Sequence, residues 1–494
     1  MSHGARPELP TQRSTQPVGA IDRYFEITAR GSTISREIRG GLATFFAMSY
    51  IVVLNPLIVG TAADETGATL GVAPVASATA LVAGVMTILM GLIGRYPFAI
   101  AAGLGLNAFL ASAVATQMSW ADAMGLIVIE GVIIAVLVLT GLRTAVFNAV
   151  PGQLKTAISV GIGLFIALIG LVDSGFIRRM PDEAGTTTPV QLGINGNLAG
   201  WPVFVFAIGL LITAALVARR VKGAILLGIV STTVLAVIVE ALTRTGPSTA
   251  DDGSSNPRGW SLVVPALPEK VLDVPDLGLL GQFTLLGSLE NVGLVAVLLL
   301  VFTLLLVDFF DTMGTVVGLG AEGDLLDRDG KLPGIGRVFF IDSLAAIGGG
   351  VASTSSNTTY IESAAGIGEG ARTGLASVVT GALFLLAMFF TPLISTVPFE
   401  AASPALVIIG FLMLTQIRGI DFSDYGLAIP AFLTIVVMPF SYSISAGIGV
   451  GFVSYVVIRC VQKRAREIHP LMWVVSALFV VYFCVEPLKE ALGV

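Results

Sequence analysis

The chain has 494 residues, of which 55% are hydrophobic and only 12% are charged, and its mean hydropathy is +0.90. A soluble protein of this length carries about twice that fraction of charged residues, so the composition excludes a soluble globular domain and predicts a polytopic membrane protein. The net charge of −6 gives no indication of a nucleic-acid partner, and none is expected.

Residues 1–39 are polar and contain no apolar core of a signal peptide, so they are predicted to form an N-terminal tail. Basic residues are retained on the cytoplasmic side of short membrane-flanking segments, which places this tail in the cytoplasm. The basic residues just before the first apolar window are Arg23, Arg30, Arg36 and Arg39.

Apolar windows long enough to cross a bilayer fall in two series of seven. The first series occupies residues 40–242, with windows at about 40–60, 75–94, 97–115, 121–141, 154–172, 199–218 and 222–242. A polar stretch, 243–290, is predicted to be an extramembrane loop. The second series occupies residues 291–460, with windows at about 291–319, 336–350, 351–367, 374–392, 402–416, 426–441 and 442–460.

The sequence therefore predicts an all-α protein with fourteen transmembrane spans. Because each half has an odd number of spans, the halves should have opposite orientations, as in the inverted repeats of secondary transporters. The remaining segment, 461–494, contains a short apolar stretch at 471–486 that is predicted to form an interfacial helix. It follows a basic cluster that is cytoplasmic only if residues 426–460 cross twice: Arg459, Lys463, Arg464 and Arg466.

Two windows contain residues that disfavour a continuous helix. The third includes "AAGLGLNAFLASA" (101–113), with two glycines and Asn107 in its middle, and the tenth includes "ASTSSNTTYIESAAGIGEG" (352–370). Irregular backbone at membrane depth is tolerated only where it is buried in protein or lines a cavity. Interruptions at equivalent positions in two halves point to the substrate site of a transporter.

Acidic residues also occur inside the apolar windows. "VDFFDTMGT" (307–315) contains Asp308 and Asp311, and Glu130 lies halfway along "GLIVIEGVIIAVLVLTG" (125–141). A charged side chain at the bilayer centre costs about 2.5–3.5 kcal/mol on insertion scales, so intramembrane acids are candidates for functional residues. Glu130 is interpreted either as a protonated acid that bonds across the interior or as part of a proton route.

Four motifs together resemble the azaguanine-like purine permeases, which belong to the second nucleobase–cation symporter family with the xanthine and uracil permeases. The motifs are "GGLATFFAMSYIVVLNP" (40–56), "AAGLGLNAF" (101–109), "VDFFDTMGT" (307–315) and "STSSNTTYIESAAG" (353–366). The resemblance covers about residues 34–459. It implies a core of spans 1–4 and 8–11, a gate of spans 5–7 and 12–14, short antiparallel strands in spans 3 and 10, and a homodimer in a cell membrane.

The resemblance also implies the residues that bind substrate. Matched motif by motif, these are Asn107, Asp308 or Asp311, and Glu362, and Tyr360 is a candidate for stacking on the base. Carboxylates accept hydrogen bonds from ring N–H groups, and an amide can match a donor–acceptor edge. Some relatives in the uracil branch carry a histidine at the position of Thr315, and the only histidines here are His3 and His469.

The function implied is import of guanine, hypoxanthine or adenine by proton symport, and the motifs do not distinguish these purines. The candidate proton carriers are Asp308, Asp311, Glu362 and Glu130. An acid without a cationic partner is neutral when occluded and ionised when exposed to water, which couples proton movement to alternating access. No cofactor and no metal site are expected.

Three alternatives compete with this interpretation. A uracil or xanthine permease is the substrate alternative, and an anion transporter on the same fold would require a positive or neutral pocket where Asp311 and Glu362 lie. A membrane-bound enzyme is disfavoured because the sequence has no metal triad, nucleophile elbow or phosphate loop. The chain is therefore predicted not to be an enzyme.

Overall fold

The computed structural model describes residues 19–140, 150–179, 190–194, 196–249, 255–268, 270–327 and 332–484. Helices in its N-terminal half are α1 (Ala20–Phe25), α2 (Ile34–Met48), α3 (Ile51–Val59), α4 (Val72–Leu89), α5 (Leu104–Phe109), α6 (Trp120–Leu139), α7 (Gly152–Asp173), α8 (Trp201–Ala218) and α9 (Ala224–Thr243). Two strands follow α4 and α7, β1 (Ile100–Ala102) and β2 (Ile177–Arg179), and β2 pairs with β3 (Val190–Leu192).

The C-terminal half is also mainly helical. It contains α10 (Gly287–Glu322), α11 (Ile335–Val351), β4 (Asn357–Thr359), α12 (Ala364–Gly368), α13 (Gly374–Ala387), α14 (Thr391–Ile394), α15 (Phe399–Leu414), α16 (Tyr425–Phe440), α17 (Ile444–Val461) and α18 (Pro470–Phe483). Helix α10 is kinked at Gly293, whose φ of 78° and ψ of 162° are not helical.

Ten helical segments in the described part of the chain are long and apolar enough to cross a membrane. The prediction of a mostly helical, polytopic membrane protein is therefore confirmed. The predicted windows that are not among the ten are the third, ninth, tenth and thirteenth. Strands interrupt the third and tenth, and the helices of the ninth and thirteenth have 17 and 16 residues, which is short for a span.

Strands β1 and β4 form an antiparallel pair that is entirely buried. Ile100 lies opposite Thr359, and Ala102 lies opposite Asn357. The pairing continues at both ends, because the Gly103 amide donates to the Ser356 carbonyl at 3.0 Å and the Tyr360 amide donates to the Ala99 carbonyl at 2.9 Å. Backbone groups that leave the helical conformation are thus satisfied within the protein, as an apolar environment demands.

The helices pack in two groups. Helices α2, α4 and α6 contact α10, α11 and α13 around the β1–β4 pair, and α3 packs on α4 and α5 in the same group. Helices α7, α8 and α9 contact α15, α16 and α17. The groups meet where α7 approaches α5 and α10, and where α9 approaches α2. The space between the groups is where a ligand can enter without disrupting either one.

Glycines allow the closest helix contacts in the first group. A Cβ atom built on Gly374, the first residue of α13, would lie 1.9 Å from the carbonyl oxygen of Gly91. Such a contact is far below the sum of the atomic radii, so α13 and the end of α4 touch through their backbones. By contrast, a Cβ atom on Gly336 in α11 would meet no heavy atom within 4 Å.

We expect Gly374→Ala to destabilise the protein by about 1–3 kcal/mol, since the helices must separate to admit the methyl group. The matched control, Gly336→Ala, should be neutral or stabilising by up to about 1 kcal/mol, because alanine favours the helix and meets no neighbour there. Thermal unfolding of both variants in detergent measures the difference. Equal midpoints would contradict the packing between α13 and α4.

Candidate functional site

A cavity of about 590 Å³ lies between the two helix groups. This volume is within the range of about 300–1,000 Å³ that is typical of small-molecule sites. One wall is formed by the interrupted segments, through Gly103, Leu104 and Gly105 after β1 and through Thr359, Tyr360, Ile361 and Glu362 at the end of β4. Asp311 and Thr315 of α10 and Tyr50 complete that wall.

The opposite wall is formed by α7, α15 and the turn after α15. It carries three polar side chains, Ser159, Thr415 and Gln416. The apolar residues on this side are Ile409, Leu412 and Met413. A flat, partly apolar molecule could therefore lie against this wall while its polar edge faces the acids opposite.

Glu362 stands at the start of the helical turn Ile361–Ser363, directly after β4 and Tyr360. The hydroxyl of Tyr50, which lies between α2 and α3, donates a hydrogen bond to Oε1 of Glu362. This contact fixes the direction of the carboxyl group and leaves Oε2 available for another donor. Glu362 is therefore oriented toward the cavity before any ligand is present.

Asp311 projects from α10 into the same cavity. Its hydrogen-bond donor among the described residues is the Thr358 hydroxyl, at 3.4 Å from Oδ2. A single long hydrogen bond leaves most of the acceptor capacity of a carboxylate unused. The salt bridges between described residues involve neither Asp311 nor Glu362. The site thus offers two carboxyl groups to a ligand that carries hydrogen-bond donors.

Tyr360 supplies an aromatic surface between the two strands and the cavity. Its hydroxyl donates to the carbonyl of Ala102 at 2.5 Å, so its ring is held against β1. The side chain is 7% exposed, and that exposed part lines the cavity. An anchored ring of this kind can pack against a planar ligand at little cost in side-chain entropy.

The other predicted substrate residues do not line the cavity in this structure. Asn107 in α5 is fully buried, and neither polar atom of its side chain has a hydrogen-bond partner among the described residues. Asp308 is 1% exposed and does not line the cavity. Its Oδ2 accepts a hydrogen bond from Ser356 at 2.8 Å, and its Oδ1 lies 3.3 Å from the Thr312 hydroxyl, whose hydrogen is directed to Asp342. Glu130 in α6, predicted as a candidate proton carrier, is also fully buried and does not line the cavity.

A network of hydroxyl groups connects the interrupted segment to the acids of α10 and α11. Ser356 donates to Asp308, Thr358 to Asp311, and both the amide and the hydroxyl of Thr359 donate to Asp342 at 3.1 and 3.0 Å. Thr312 donates to Asp342 at 2.8 Å. The Ser and Thr residues of this network therefore hold carboxyl groups in position through hydrogen bonds.

Most cavity residues were not predicted from the sequence, among them Tyr50, Ser159 and Gln416. Tyr50 lies within the motif at 40–56, but nothing in that motif indicates that its hydroxyl reaches Glu362. Ser159 lies on α7, and Gln416 lies beside Thr415 in the turn after α15. Their role is visible only once α7 and α15 are placed opposite the strands.

Comparison with known proteins identifies relatives over almost the whole chain. Residues 35–450 match the Xan_ur_permease model, described as "Permease family". The guanine/hypoxanthine permease PbuG of Bacillus subtilis is 37% identical over 93% of this chain and 98% of its own length. The adenine permease AdeP of Escherichia coli is 35% identical over 97% of this chain and 98% of its own length.

Solved structures with the same fold include the transmembrane domain of the cyanobacterial bicarbonate transporter BicA. Its TM-score is 0.56 at 14% identity, and the match covers 85% of this chain and 97% of that domain. The murine anion transporter Slc26a9 in its inward-facing state matches with a TM-score of 0.57 at 10% identity, over 92% of this chain and 74% of that chain. At these identities the likeness concerns the fold alone. On the family match and the full-length relatives, the chain is a member of the permease family and an integral membrane protein.

Proposed function

We propose that this protein is a secondary active transporter that imports purine nucleobases by proton symport. The observation that carries the proposal is the cavity in which Asp311 and Glu362, beside the ring of Tyr360, lie opposite a wall of mixed apolar and polar side chains. The names of the full-length relatives, guanine/hypoxanthine permease and adenine permease, support the choice of substrate. Transport of a base requires no bond to be made or broken, and the protein is not an enzyme.

The chemistry of the cavity suits a purine. Guanine, hypoxanthine and adenine are flat and apolar on their faces, and they carry N–H donors on their edges. Carboxylates accept from such donors with hydrogen bonds that are stronger than neutral ones. The base would lie with its donor edge toward Asp311 and Glu362, one face near Tyr360, and its remaining edge near Gln416.

The proposed architecture has fourteen spans in two inverted repeats, residues 40–242 and 291–460. Spans 1–4 and 8–11 form a core, and spans 5–7 and 12–14 form a gate. The division of the described helices into two packing groups supports this arrangement, as does the antiparallel pairing of β1 with β4. In the C-terminal segment, 461–494, the 14-residue helix α18 would lie at the interface between membrane and water. Homodimer formation stays a prediction.

Alternating access follows from the position of the cavity. Because its walls belong to different helix groups, movement of one group relative to the other changes which side of the membrane the base can reach. The acids move with the core, so their exposure to water changes with that movement. An acid that takes up a proton on one side and releases it on the other would couple uptake to the proton gradient.

An anion transporter is the second candidate, because the structural neighbours are named as bicarbonate and anion transporters. Two carboxyl groups in the cavity disfavour it, since an anion would be repelled by each of them unless both were protonated. A uracil or xanthine permease is the alternative within the family. The threonine at Thr315, where some uracil-branch relatives carry a histidine, favours purines.

Uptake of radiolabelled guanine, hypoxanthine, adenine and uracil into cells expressing the protein tests this function. We expect accumulation of at least one purine above its external concentration, and loss of that accumulation when an ionophore abolishes the proton gradient. Accumulation of uracil alone, or of no base, would contradict the proposal. Replacement of sodium by choline in the medium separates proton from sodium coupling.

Removal of the ionisable acceptors should weaken transport strongly. Asp311→Asn and Glu362→Gln retain shape but each replace a carboxylate by an amide, so a charge-assisted hydrogen bond worth about 1.5–3 kcal/mol is lost. Affinity for the base should fall roughly ten- to hundred-fold in each variant. Asp421→Asn, at an exposed residue outside the cavity, is the control. Unchanged affinity in both cavity variants would remove these acids from the binding site.

The orientation of the chain can be tested at the end of α17. We assign the protein to the plasma or inner membrane of the cell. Residues 459–466 carry a basic cluster, which we place on the cytoplasmic side together with the N-terminus. With Cys460 and Cys484 replaced by serine, Gln462→Cys should react with an impermeant maleimide only after the membrane is opened. Labelling in intact cells would contradict the fourteen-span topology.

A further inference from the structure

Glu130 is a fully buried acid in the middle of α6. Neither of its carboxyl oxygens accepts a hydrogen bond of regular geometry from the described residues, and their salt bridges do not include it. The energetic cost of burying an isolated carboxylate is high, and a group in this position normally binds a proton or a partner. The cavity does not reach Glu130, so a purine cannot be that partner.

The carboxyl group of Glu130 is near the carboxyl group of Asp308 and the hydroxyl of Ser356, with no hydrogen bond of regular geometry between them. Asp342 of α11 is the other acid near it. The single hydroxyl hydrogen of Ser356 is directed to Oδ2 of Asp308. Helix α6 packs on α10 and α11, so these acids from three helices meet inside the first helix group.

Two ionised carboxylates can only accept hydrogen bonds, so Glu130 and Asp308 cannot bond to each other in that form. One proton changes this: the protonated carboxyl group donates its O–H to the other carboxylate, and the charge of the pair falls from −2 to −1. Carboxyl groups that share a site behave in this way, and their two protonation steps belong to the pair.

We propose that Glu130 and Asp308 form a carboxyl pair that binds one proton behind the substrate cavity. The pair is a proton site that is separate from the cavity acids Asp311 and Glu362. Its role in transport rests on the proposed function, whereas the existence of the pair does not.

The structure provides a path by which the pair can influence the cavity. Ser356 donates to Asp308, and two residues further along the chain Thr358 donates to Asp311. When the proton leaves, two negative charges face each other and compete for the Ser356 hydroxyl. A shift of Ser356 would move the adjoining strand β4, and with it Thr358 and the Asp311 contact. Proton release and substrate release would thus be linked through β4.

Infrared spectroscopy of the purified full-length protein, without any substrate, tests the pair itself. A protonated carboxyl group has a carbonyl stretching band that disappears on ionisation. We expect wild-type protein at neutral pH to show a band that Glu130→Gln lacks, because the amide donates to Asp308 without a bound proton. Asp308→Asn should also lack the band, because its amide donates to Glu130 without a bound proton. This second variant tests the pair if Glu130→Gln does not fold.

Glu37→Gln is the matched control. Glu37 is also fully buried, but each of its carboxyl oxygens accepts a hydrogen bond from a backbone amide, from Arg372 at 2.9 Å and from Thr373 at 3.3 Å. Its replacement should leave the carboxyl band unchanged. A band of wild-type intensity in both Glu130→Gln and Asp308→Asn would overturn the proposal.

A transport measurement then tests the role of the pair. Glu130→Gln should exchange labelled purine across a proteoliposome membrane, while accumulation driven by a pH gradient should fall to the external concentration. Accumulation at the wild-type level would overturn the coupling role. If wild-type protein itself transports no purine, the proposed function fails, and the infrared result still decides whether the proton pair exists.

Discussion

Backbone that leaves the helical conformation inside a membrane must find hydrogen-bond partners within the protein, and here the two interrupted segments satisfy each other. Strands β1 and β4 come from opposite halves of the chain, and their pairing is wholly buried. Each strand alone would expose unsatisfied amides and carbonyls at a cost of several kcal/mol per group. The pairing therefore fixes the position of the segment that contains β1 relative to the segment that contains β4.

The functional groups depend on that register. Tyr360 and Glu362 follow β4, and Gly103–Gly105 follow β1. The short pairing of β1 with β4 therefore brings both segments into one wall of the cavity. Hydroxyl groups on and beside β4 then hold Asp308, Asp311 and Asp342, which belong to neighbouring helices. The burial of this polar segment is offset by the hydroxyl groups of Ser356, Thr358 and Thr359, which donate to carboxyl groups, and by those of Ser353 and Thr354, which donate to backbone carbonyls.

Much of this arrangement can be predicted from the sequence. Helix-disfavouring residues at 101–113 and 352–370 indicate where the helices are interrupted, and they fall at equivalent positions in the two halves. Asp311, Tyr360 and Glu362 line the cavity, and their role in binding substrate stays a prediction. The number of long helices is smaller than the number of apolar windows because hydropathy reports composition, whereas a strand or a short helix shortens the continuous segment.

The direction of individual side chains is harder to predict. Asp308 and Asp311 are about one helical turn apart, yet Asp311 enters the cavity while Asp308 faces Glu130 and Ser356. The reason is that residues three positions apart on a helix still differ in direction by about 60°. Tyr50, Ser159 and Gln416 reach the cavity from three other parts of the chain, and no local pattern distinguishes them from residues that pack in the interior.

An electron cryo-microscopy structure of the protein with hypoxanthine or guanine bound tests the central claim most directly. We predict density for the base between the two helix groups, beside the ring of Tyr360, with ring N–H groups about 2.7–3.2 Å from the carboxyl oxygens of Asp311 and Glu362. A base bound elsewhere, or one in the cavity that contacts neither acid, would contradict this account.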